Sequence, residues 1–356
     1  MLSRVILAGF LLNGDMRFTL FFLLASITLA AAEPLEIRVV VLAMYEHGES
    51  VGDKRGELQT WVERSHYDQK FEFPMGVRDI YYRKDGLMVT MTGGGVTNAT
   101  ATITALGMDP RFDFSKAYWV IAGIAGADPE DCGLGSAAWA NWVVDGDLAK
   151  EIDPREAPED WPYGYIALGA KKPREAAEVM WMKDVRAFEL DAGLVEWAYK
   201  ITKDIELMDH PELAEFRKLF SYANARKPPF VLKGDSMGSS TYWHGFRLNE
   251  WANDWIKMHS NDEGNFVMTN MEDNGTLTAL KRLDGAGYVD ADRVLVLRTA
   301  SNFSQPPQGK DVAWSTTAPY PAEGLPALEN AYRVANKVVE TLLQGWEKYA
   351  DEMPNE

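Results

Sequence analysis

The sequence predicts an α/β fold, a single domain in which a mostly buried central sheet is flanked by helices. Three apolar runs carry this prediction, at residues 39–44, 119–126 and 294–302. Unbroken runs of Val, Ile and Leu are typical of strands that are covered on both faces. Each run ends in small or polar residues, and ligands in open α/β sheets bind at the carboxyl ends of strands. We therefore expect these ends to converge on one ligand site, which favours an enzyme or a small-molecule binder over a scaffold.

Hydrophobic periodicity predicts the other elements of the domain. Apolar runs predict strands at residues 39–44, 87–91, 118–122, 137–145, 230–232 and 293–299. Helical spacing of apolar residues predicts helices at residues 98–106, 173–207 with a split near Gly193, and 326–349. The last helix begins at Pro326, which suits a first helical turn because no hydrogen bond is lost there.

Two stretches lack a clear period and are predicted to be loops. Residues 151–172 are rich in Pro and charge, which indicates a surface loop or an insertion. Residues 302–321 contain Pro306 and Pro307 and directly follow the last predicted strand. A long loop at that position is a candidate lid over the ligand site.

The first 32 residues are predicted to be a secretory signal that is cleaved before folding. Met16 and Arg17 precede an apolar stretch at residues 18–29, and three alanines follow it. A basic start, a short apolar stretch and small residues at the cleavage point are typical of such signals. The stretch is short for a membrane span, and no later segment is a candidate for one. We therefore expect Met16 to be the initiator, residues 33–356 to form the folded domain, and the protein to be periplasmic or secreted.

Composition limits the classes of partner. The chain has 356 residues, 46% of them hydrophobic, and a net charge of −17 from 53 acids and 36 bases. This charge argues against nucleic acid and anionic membranes as partners, but it permits a small neutral ligand. Cys132 is the single cysteine and has no His near it in sequence, so we expect a buried small residue rather than a nucleophile. The five His residues show no metal-ligand spacing, so we expect neither a metal nor another cofactor.

Several short motifs follow one another in a fixed order. They are Ala43-Met44 with acids just after it, Thr92-Gly93-Gly94-Gly95-Val96-Thr97-Asn98-Ala99, Ile121-Ala122-Gly123-Ile124-Ala125-Gly126, Gly135-Ser136, Gly234-Asp235-Ser236, Asn270-Met271-Glu272 and Arg298-Thr299-Ala300-Ser301-Asn302. This order resembles the nucleoside phosphorylase and nucleosidase superfamily. Within it the chain is most similar to the purine nucleoside permease family, on the strength of Met44-Tyr45-Glu46, Gly52-Asp53, Trp61-Val62-Glu63-Arg64 and Asp145-Gly146-Asp147-Leu148.

The resemblance covers nearly all of residues 37–345. It implies a nucleoside phosphorylase-like fold with a central mixed sheet and a helical insertion around residues 151–230. It also implies a purine nucleoside as ligand, bound or cleaved at the N-glycosidic bond, and it leaves a homo-oligomer open. The family name implies transport, whereas the sequence offers no membrane span beyond the signal.

The resemblance implies a sugar site at Met271 and Glu272. A carboxylate can accept two hydrogen bonds from vicinal hydroxyls, and a Met side chain packs well on the face of a sugar. The alternative for Glu272 is an acid stabilised by a helix dipole. Asn302 stands where relatives carry Asp or Asn against the purine. An Asn can hydrogen-bond N7 or O6 but cannot donate a proton to the leaving base, which favours 6-oxopurines or a binding role.

Glu46 is our candidate for activating water, because a Glu near this point does so in hydrolytic relatives. Glu49 is the second choice, and ordinary solvated loop acids are the alternative. The other predicted nucleoside-binding residues are glycines that allow close backbone approach and apolar side chains for the purine face: Gly93, Gly94, Gly95, Gly126, Met237 and Trp243, with Tyr242 beside the last.

Three functions remain open at this stage. The first is an exported purine nucleosidase, the second is a nucleoside-binding protein that serves a transporter without catalysis, and the third is a phosphorylase that also binds phosphate. Arg55 is the one candidate for holding phosphate, and its context lacks the Pro found after Gly-Asp in the usual phosphate loop. The sequence therefore favours hydrolysis over phosphorolysis.

Overall fold

The computed structural model describes residues 33–355 and contains sixteen strands in that range. They are β1 (Leu35–Glu36), β2 (Val39–Ala43), β3 (Gln69–Phe71), β4 (Ile80–Arg83), β5 (Leu87–Met91), β6 (Phe112–Asp113), β7 (Tyr118–Ala127), β8 (Ala137–Trp139), β9 (Trp142–Asp145), β10 (Ala149–Glu151), β11 (Tyr165–Ala167), β12 (Ala187–Glu189), β13 (Val231–Lys233), β14 (Asp235–Gly238), β15 (Phe266–Asn270) and β16 (Val294–Phe303).

Twelve of these strands form one mixed sheet. Its main path runs β12-β9-β14-β15-β7-β2-β5-β4-β3, while β16 pairs with β7 and β8, and β13 pairs with β8. Strand β7 is central because it runs parallel to both β2 and β16 and antiparallel to β15. Two smaller sheets pair β1 with β6 and β10 with β11.

Helices cover the sheet. They are α1 (Glu57–Arg64), α2 (Val96–Gly107), α3 (Ala192–Thr202), α4 (Pro211–Arg217), α5 (Phe246–His259), α6 (Asp273–Gly285), α7 (Val312–Thr317), α8 (Leu325–Gln344) and α9 (Trp346–Tyr349), with short 3₁₀ helices at Met180–Met182 and Pro321–Gly324. Helix α8 packs on β7 and β16, and α2 packs on α6. A mixed sheet flanked by helices is the predicted α/β class, and that prediction is confirmed.

The core explains why the central strands read as continuous apolar runs. Every residue of β2 is buried, and so is every residue of β5. Strands buried on both faces need apolar side chains at every position rather than at alternate ones. Cys132 is also buried, which raises the pKa of its thiol and leaves it as a core residue.

The predicted helix over residues 173–207 is wrong in its first half. Only α3 forms there, beginning after Asp191, whose side chain accepts a hydrogen bond from the Leu194 amide at 2.7 Å. Upstream of it the chain forms a 3₁₀ turn and then β12, which pairs with β9 at the edge of the main sheet. Gly193 therefore lies in the first turn of a helix and does not split one.

Smaller differences concern element ends. The predicted strand 137–145 is two strands, β8 and β9, which pair with different neighbours. The predicted final helix is interrupted at Gly345, between α8 and α9. The predicted lid 302–321 includes the last residues of β16 and the short helix α7. Helices α1, α4, α5, α6 and α7 were not predicted.

The predicted domain boundaries can be compared with the structure only over residues 33–355. Residues from Pro34 onward form one compact unit. The region 151–230, predicted as a helical insertion, carries β11, β12, α3 and α4. The predicted signal at residues 1–32 and the initiator Met16 lie outside the described residues. No helix within residues 33–355 has the length and apolar character to cross a membrane.

Candidate active site

A cavity of about 170 Å³ lies where the ends of β2, β15 and β16 meet the second half of β7. The residues around it come from β7, β15 and β16, from the segments that connect the strands and helices, and from the start of α1: Met44, Tyr45, Glu57, Ile124, Ala125, Gly126, Thr241, Tyr242, Trp243, Thr269, Asn270, Met271, Glu272, Arg298, Ser301, Asn302 and Tyr320. The polar ends of the three apolar runs thus meet at one place.

Glu57 brings a buried carboxylate into this cavity. Residues 46–56 form a loop that starts at the end of β2 and comes back to it. The loop is closed by a hydrogen bond of 3.1 Å that the Glu57 amide donates to the Tyr45 carbonyl. The Glu57 side chain is 5% exposed and accepts hydrogen bonds from the backbone amides of Met44 at 2.6 Å and Ile124 at 2.7 Å. Burial raises the pKa of this carboxyl group to about 7, against the opposing effect of Arg298.

Arg298 is the cation of the cavity. Its side chain is 2% exposed and donates to both Asp273 oxygens at 3.2 Å, to Glu272 at 3.1 Å and to the Ile124 carbonyl at 3.0 Å. Asp273 is fully buried, so the guanidinium and the carboxylates neutralise one another away from water. This network fixes the position of Glu272 at the start of α6.

Glu272 faces the cavity from the N-terminus of α6. Besides Arg298, it accepts a hydrogen bond from the Gly95 amide at 3.4 Å. Burial raises the pKa of its carboxyl group, and Arg298 opposes that rise. Gly93 and Gly95 have φ values of +81° and +88°, which glycine adopts without strain. The predicted glycine turn therefore contacts Glu272 and does not itself line the cavity.

Asn302 reaches the cavity through a β-bulge. The register between β16 and β7 shifts between Ala300 and Asn302, so that Ser301 is an extra residue in the strand. The Asn302 amide nitrogen donates to the Tyr242 hydroxyl at 3.2 Å, and its carbonyl accepts from the Ser301 hydroxyl at 2.9 Å. An added Cβ at Gly126 would lie 3.2 Å from the Asn302 amide nitrogen, so the glycine leaves room for this side chain.

The apolar residues predicted for the purine face divide into two groups. Trp243 and Met271 line the cavity, beside Tyr242. Met237 does not line it, and the prediction that it lies under the purine does not match its position. It is fully buried in an apolar cluster that also contains Trp243 and Trp251, because β14 points its side chain into the core.

Glu46 also lies outside the cavity lining. Its carboxylate accepts hydrogen bonds from the backbone amides of Gly56 and Gln59, the latter at 2.6 Å, and so caps α1. Glu49 is exposed, and Arg55 is paired with Glu63 at 3.2 Å. The geometry therefore favours Glu57 over Glu46 and Glu49 as the carboxylate that acts in the cavity.

Sequence reasoning missed Glu57, Arg298 and Tyr320 as site residues. A signal existed for Arg298, since a lone arginine inside the apolar run 294–300 must find a buried partner. No comparable signal marks Glu57, which looks like any acid in the first turn of a helix. Its role depends on the return of residues 46–56 to the end of β2.

The comparison with known families agrees with this architecture. The family model for purine nucleoside permeases matches residues 36–354. This chain belongs to the purine nucleoside permease family. It is 32% identical over 220 residues to a probable purine nucleoside permease of Schizosaccharomyces pombe, a match over 60% of this chain and 63% of that one.

A second relative is the purine nucleoside permease of Candida albicans. It is 31% identical over 262 residues, which are 72% of this chain and 64% of the relative. The chain thus spans slightly less than two thirds of the length of the curated relatives it matches.

Solved structures share the fold at low sequence identity. A 5′-methylthioadenosine/S-adenosylhomocysteine nucleosidase from Helicobacter pylori, in complex with butyl-thio-DADMe-Immucillin-A, superposes with a TM-score of 0.50 at 14% identity and covers 86% of this chain and 98% of that one. A mutant of the enzyme with 5′-methylthioadenosine in its active site gives a TM-score of 0.50 at 16% identity, with the same coverage. The fold is therefore that of these nucleosidases.

Proposed function

We propose that this protein binds a purine nucleoside in the cavity and hydrolyses its N-glycosidic bond. The observation that carries the proposal is the buried Glu57 carboxylate, whose pKa of about 7 suits a general base at neutral pH. It shares one cavity with a second carboxylate, Glu272, and with the Asn302 amide. The names of the permease relatives and of the nucleosidase structures support a purine nucleoside as ligand.

Each wall of the cavity has a chemical task in this proposal. Glu272 accepts hydrogen bonds from the sugar hydroxyls while Met271 packs on the sugar. Trp243 and Tyr242 offer aromatic surface to the purine. The Asn302 amide donates to N7 or O6 of the base, which suits a 6-oxopurine.

The bond changes follow from these positions. A water molecule gives its proton to Glu57, and its oxygen forms a bond with C1′ of the sugar as the bond from C1′ to the purine nitrogen breaks. The base leaves with the electron pair of that bond, is stabilised by the Asn302 amide and takes a proton from solvent. Glu57 and Glu272 stabilise the positive charge that develops on the sugar.

The electrostatics of the cavity disfavour a phosphate co-substrate. Arg298 is the one cation among the described lining residues, and its donors already serve Asp273, Glu272 and Ile124. The carboxylates of Glu57 and Glu272 face the same space, and they would repel a phosphate dianion. The paired Arg55 is not part of the lining.

A second candidate function is nucleoside binding in support of transport. Asn302 favours it, because an amide has no proton to transfer to a leaving purine. The permease names of the relatives agree with it. We also propose a periplasmic or secreted location, which rests only on the signal-like residues 1–32.

The deciding experiment incubates the protein with inosine and with adenosine, with and without phosphate, and separates the products. Free base and ribose without phosphate are expected from the wild-type protein. Glu57→Gln is expected to lower kcat by about 100- to 10,000-fold, the usual contribution of a general base.

The same assay separates the alternatives. Glu46→Gln is expected to lower the melting temperature through loss of the α1 cap and to change kcat much less than Glu57→Gln. Intact nucleoside that stays bound to the wild-type protein would contradict hydrolysis and favour the binding function. Ribose 1-phosphate formed only with phosphate would contradict both.

A further inference from the structure

A second cavity of about 770 Å³ lies apart from the first and shares no lining residue with it. Val294, the first residue of β16, lines this cavity, whereas Asn302 near the other end of β16 lines the candidate active site. Helix α6 likewise begins directly after Glu272 and carries Lys281 and Asp284 to the second cavity. The volume is within the range of about 300–1,000 Å³ that small-molecule sites occupy.

Arg186 supplies a positive charge to this cavity, and Glu178, which also lines it, is near enough to act on that charge. Its guanidinium is half-buried and donates to the Ala177 carbonyl at 2.8 Å, and Arg186 makes no ion pair within residues 33–355. Burial lowers the pKa of this side chain, with Glu178 acting in the opposite sense. A guanidinium that is partly removed from water and makes no direct ion pair keeps donors that can pair with an anionic ligand group. Lys183 lines the same cavity.

His259 adds a buried polar atom that lacks a partner. The ring is 9% exposed and lines the cavity, yet its Nε2 has no hydrogen-bond partner among the described residues. Burial and the nearby Arg186 lower the pKa of His259 to about 3, so the ring is neutral at pH 7. Buried ring nitrogens are nearly always hydrogen-bonded, so this atom is free to serve a ligand.

The remaining walls combine acids with apolar surface. The acids among the lining residues are Glu178, Glu189, Asp284 and Asp292. Burial raises the pKa of the Asp292 carboxyl group, and the neighbouring Asp284 adds to that rise. Carboxylates in this arrangement accept hydrogen bonds from neighbouring hydroxyls. Phe188 and Leu280 are buried beside the cavity, and Trp142 is half-buried, so they offer surface for a flat ring.

We propose that this second cavity binds a nucleoside monophosphate. Its phosphate would pair with Arg186 and Lys183, its sugar hydroxyls would donate to Asp284 and Asp292, and its base would pack on the apolar wall. The proposal is independent of the function proposed for the first cavity, because it rests on a separate set of residues.

The test measures binding of AMP to the folded protein by isothermal titration calorimetry. Wild-type protein is expected to bind AMP with a Kd below about 1 mM. Arg186→Gln is expected to weaken this binding by about tenfold or more, since it removes a charge-assisted contact to phosphate. Arg155→Gln is the matched control, because it removes the same charge from a side chain that is 89% exposed and does not line the cavity.

Two further variants keep the result unambiguous. Asn302→Ala alters only the first cavity and is expected to leave AMP binding at the second unchanged. Lys183→Gln changes an exposed side chain, so it tests the same phosphate contact if Arg186→Gln does not fold. AMP binding that is unaffected by both Arg186→Gln and Lys183→Gln, or that is lost in Asn302→Ala, would overturn the proposal.

Partial ligands test each half of the assignment. Inorganic phosphate and adenosine are each expected to bind at this site about tenfold or more weakly than AMP, because each lacks one set of contacts. Equal affinity for inorganic phosphate and AMP would overturn the assignment of the hydroxyl and base contacts. An absence of AMP binding by the wild-type protein would overturn the site as a whole.

Discussion

Glu57 holds its carboxylate between two backbone amides, and its chemistry should therefore depend on pH in a defined way. Its pKa is raised from 4.5 to about 7, so the group becomes an ionised base only as the pH rises through about 7. We expect kcat/KM for nucleoside hydrolysis to fall tenfold per pH unit below that point. A pH–rate profile measured from pH 5 to 9 checks this, and a flat profile would contradict the role of Glu57.

The raised pKa of Glu57 also affects the stability of the fold, which it makes greater at low pH than at high pH. Because the folded-state pKa lies above the unfolded value, the contribution of Glu57 to stability is complete below pH 4.5 and is lost as the pH rises through about 7. Ionised Glu57 is thus available for catalysis at some cost in stability. Such a cost is common at functional sites.

The buried carboxylates of Asp273 and Glu272 depend on Arg298 for their counter-charge. Replacing it in Arg298→Met would leave Asp273 and Glu272 buried without a cation, and we expect the free energy of unfolding to fall by about 3–5 kcal/mol. Urea denaturation followed by circular dichroism measures the change. Arg155→Met is the control and is expected to stay within about 0.5 kcal/mol of wild type. A loss as small as that of the control would mean that the network does not stabilise the fold.

Among the elements, the segment after β16 has the features of a moving lid. Tyr320 lines the first cavity, and after the intervening Pro321 the residues Ala322, Glu323 and Gly324 have φ values of +50°, +54° and +74°. Consecutive left-handed residues other than glycine store strain, which often marks a switch or a clamp on a ligand. The cavity of about 170 Å³ is also smaller than the usual ligand site of about 300 Å³ or more, so entry of a nucleoside requires movement.

Tyr320→Ala tests the lid directly. We expect KM for the nucleoside, or Kd if the protein only binds, to rise by about tenfold, because the variant lacks a side chain that closes over the cavity. The melting temperature should change little, since Tyr320 is 38% exposed. Unchanged KM and Kd would mean that Tyr320 does not retain the ligand, and Tyr320→Phe separates the effect of the ring from that of the hydroxyl.

Elements were predictable where local pattern and tertiary packing agree. The runs that became β2, β5, β7 and β16 are mostly apolar, since both of their faces are buried. The region 173–191 failed because Val179, Met182 and Phe188 have helical spacing but serve a 3₁₀ turn and an edge strand. Sheet pairing with β9 decided that outcome, and a single sequence does not reveal it.

The site was predictable to the extent that its residues occur in local motifs. Met271, Glu272, Gly126, Trp243 and Asn302 follow or end strands, and all five line the cavity. Glu57 could not be found in this way, because its position is set by hydrogen bonds to residues 13 and 67 positions distant in sequence. The predicted catalytic role of Glu46 and the nucleoside-binding roles of the other residues remain predictions.

For the whole molecule, α8 is the main cover of the central strands and should be the main source of stability outside the sheet. Leu342 is completely buried between this helix and the core. We expect Leu342→Ala to lower the free energy of unfolding by about 2–5 kcal/mol through lost contacts and a residual cavity. Thermal and urea unfolding of the variant check this. Glu347→Ala, at a less buried position near the same end of the chain, is the comparison, and equal losses in the two variants would contradict the packing argument.

The loop of residues 46–56 is closed at its base by a hydrogen bond, and this matters for engineering the chain. The loop starts and ends at the hydrogen bond between Tyr45 and Glu57, so a change in its length does not move the Glu57 carboxylate. Extra residues in such a loop cost little, because loop-closure entropy grows only slowly with length. A small tag or a reporter domain placed after Ser50 would then lie in a loop whose flanking residues, Tyr45 and Glu57, both line the cavity. It could report ligand entry from there without displacing the residue proposed to act on the ligand.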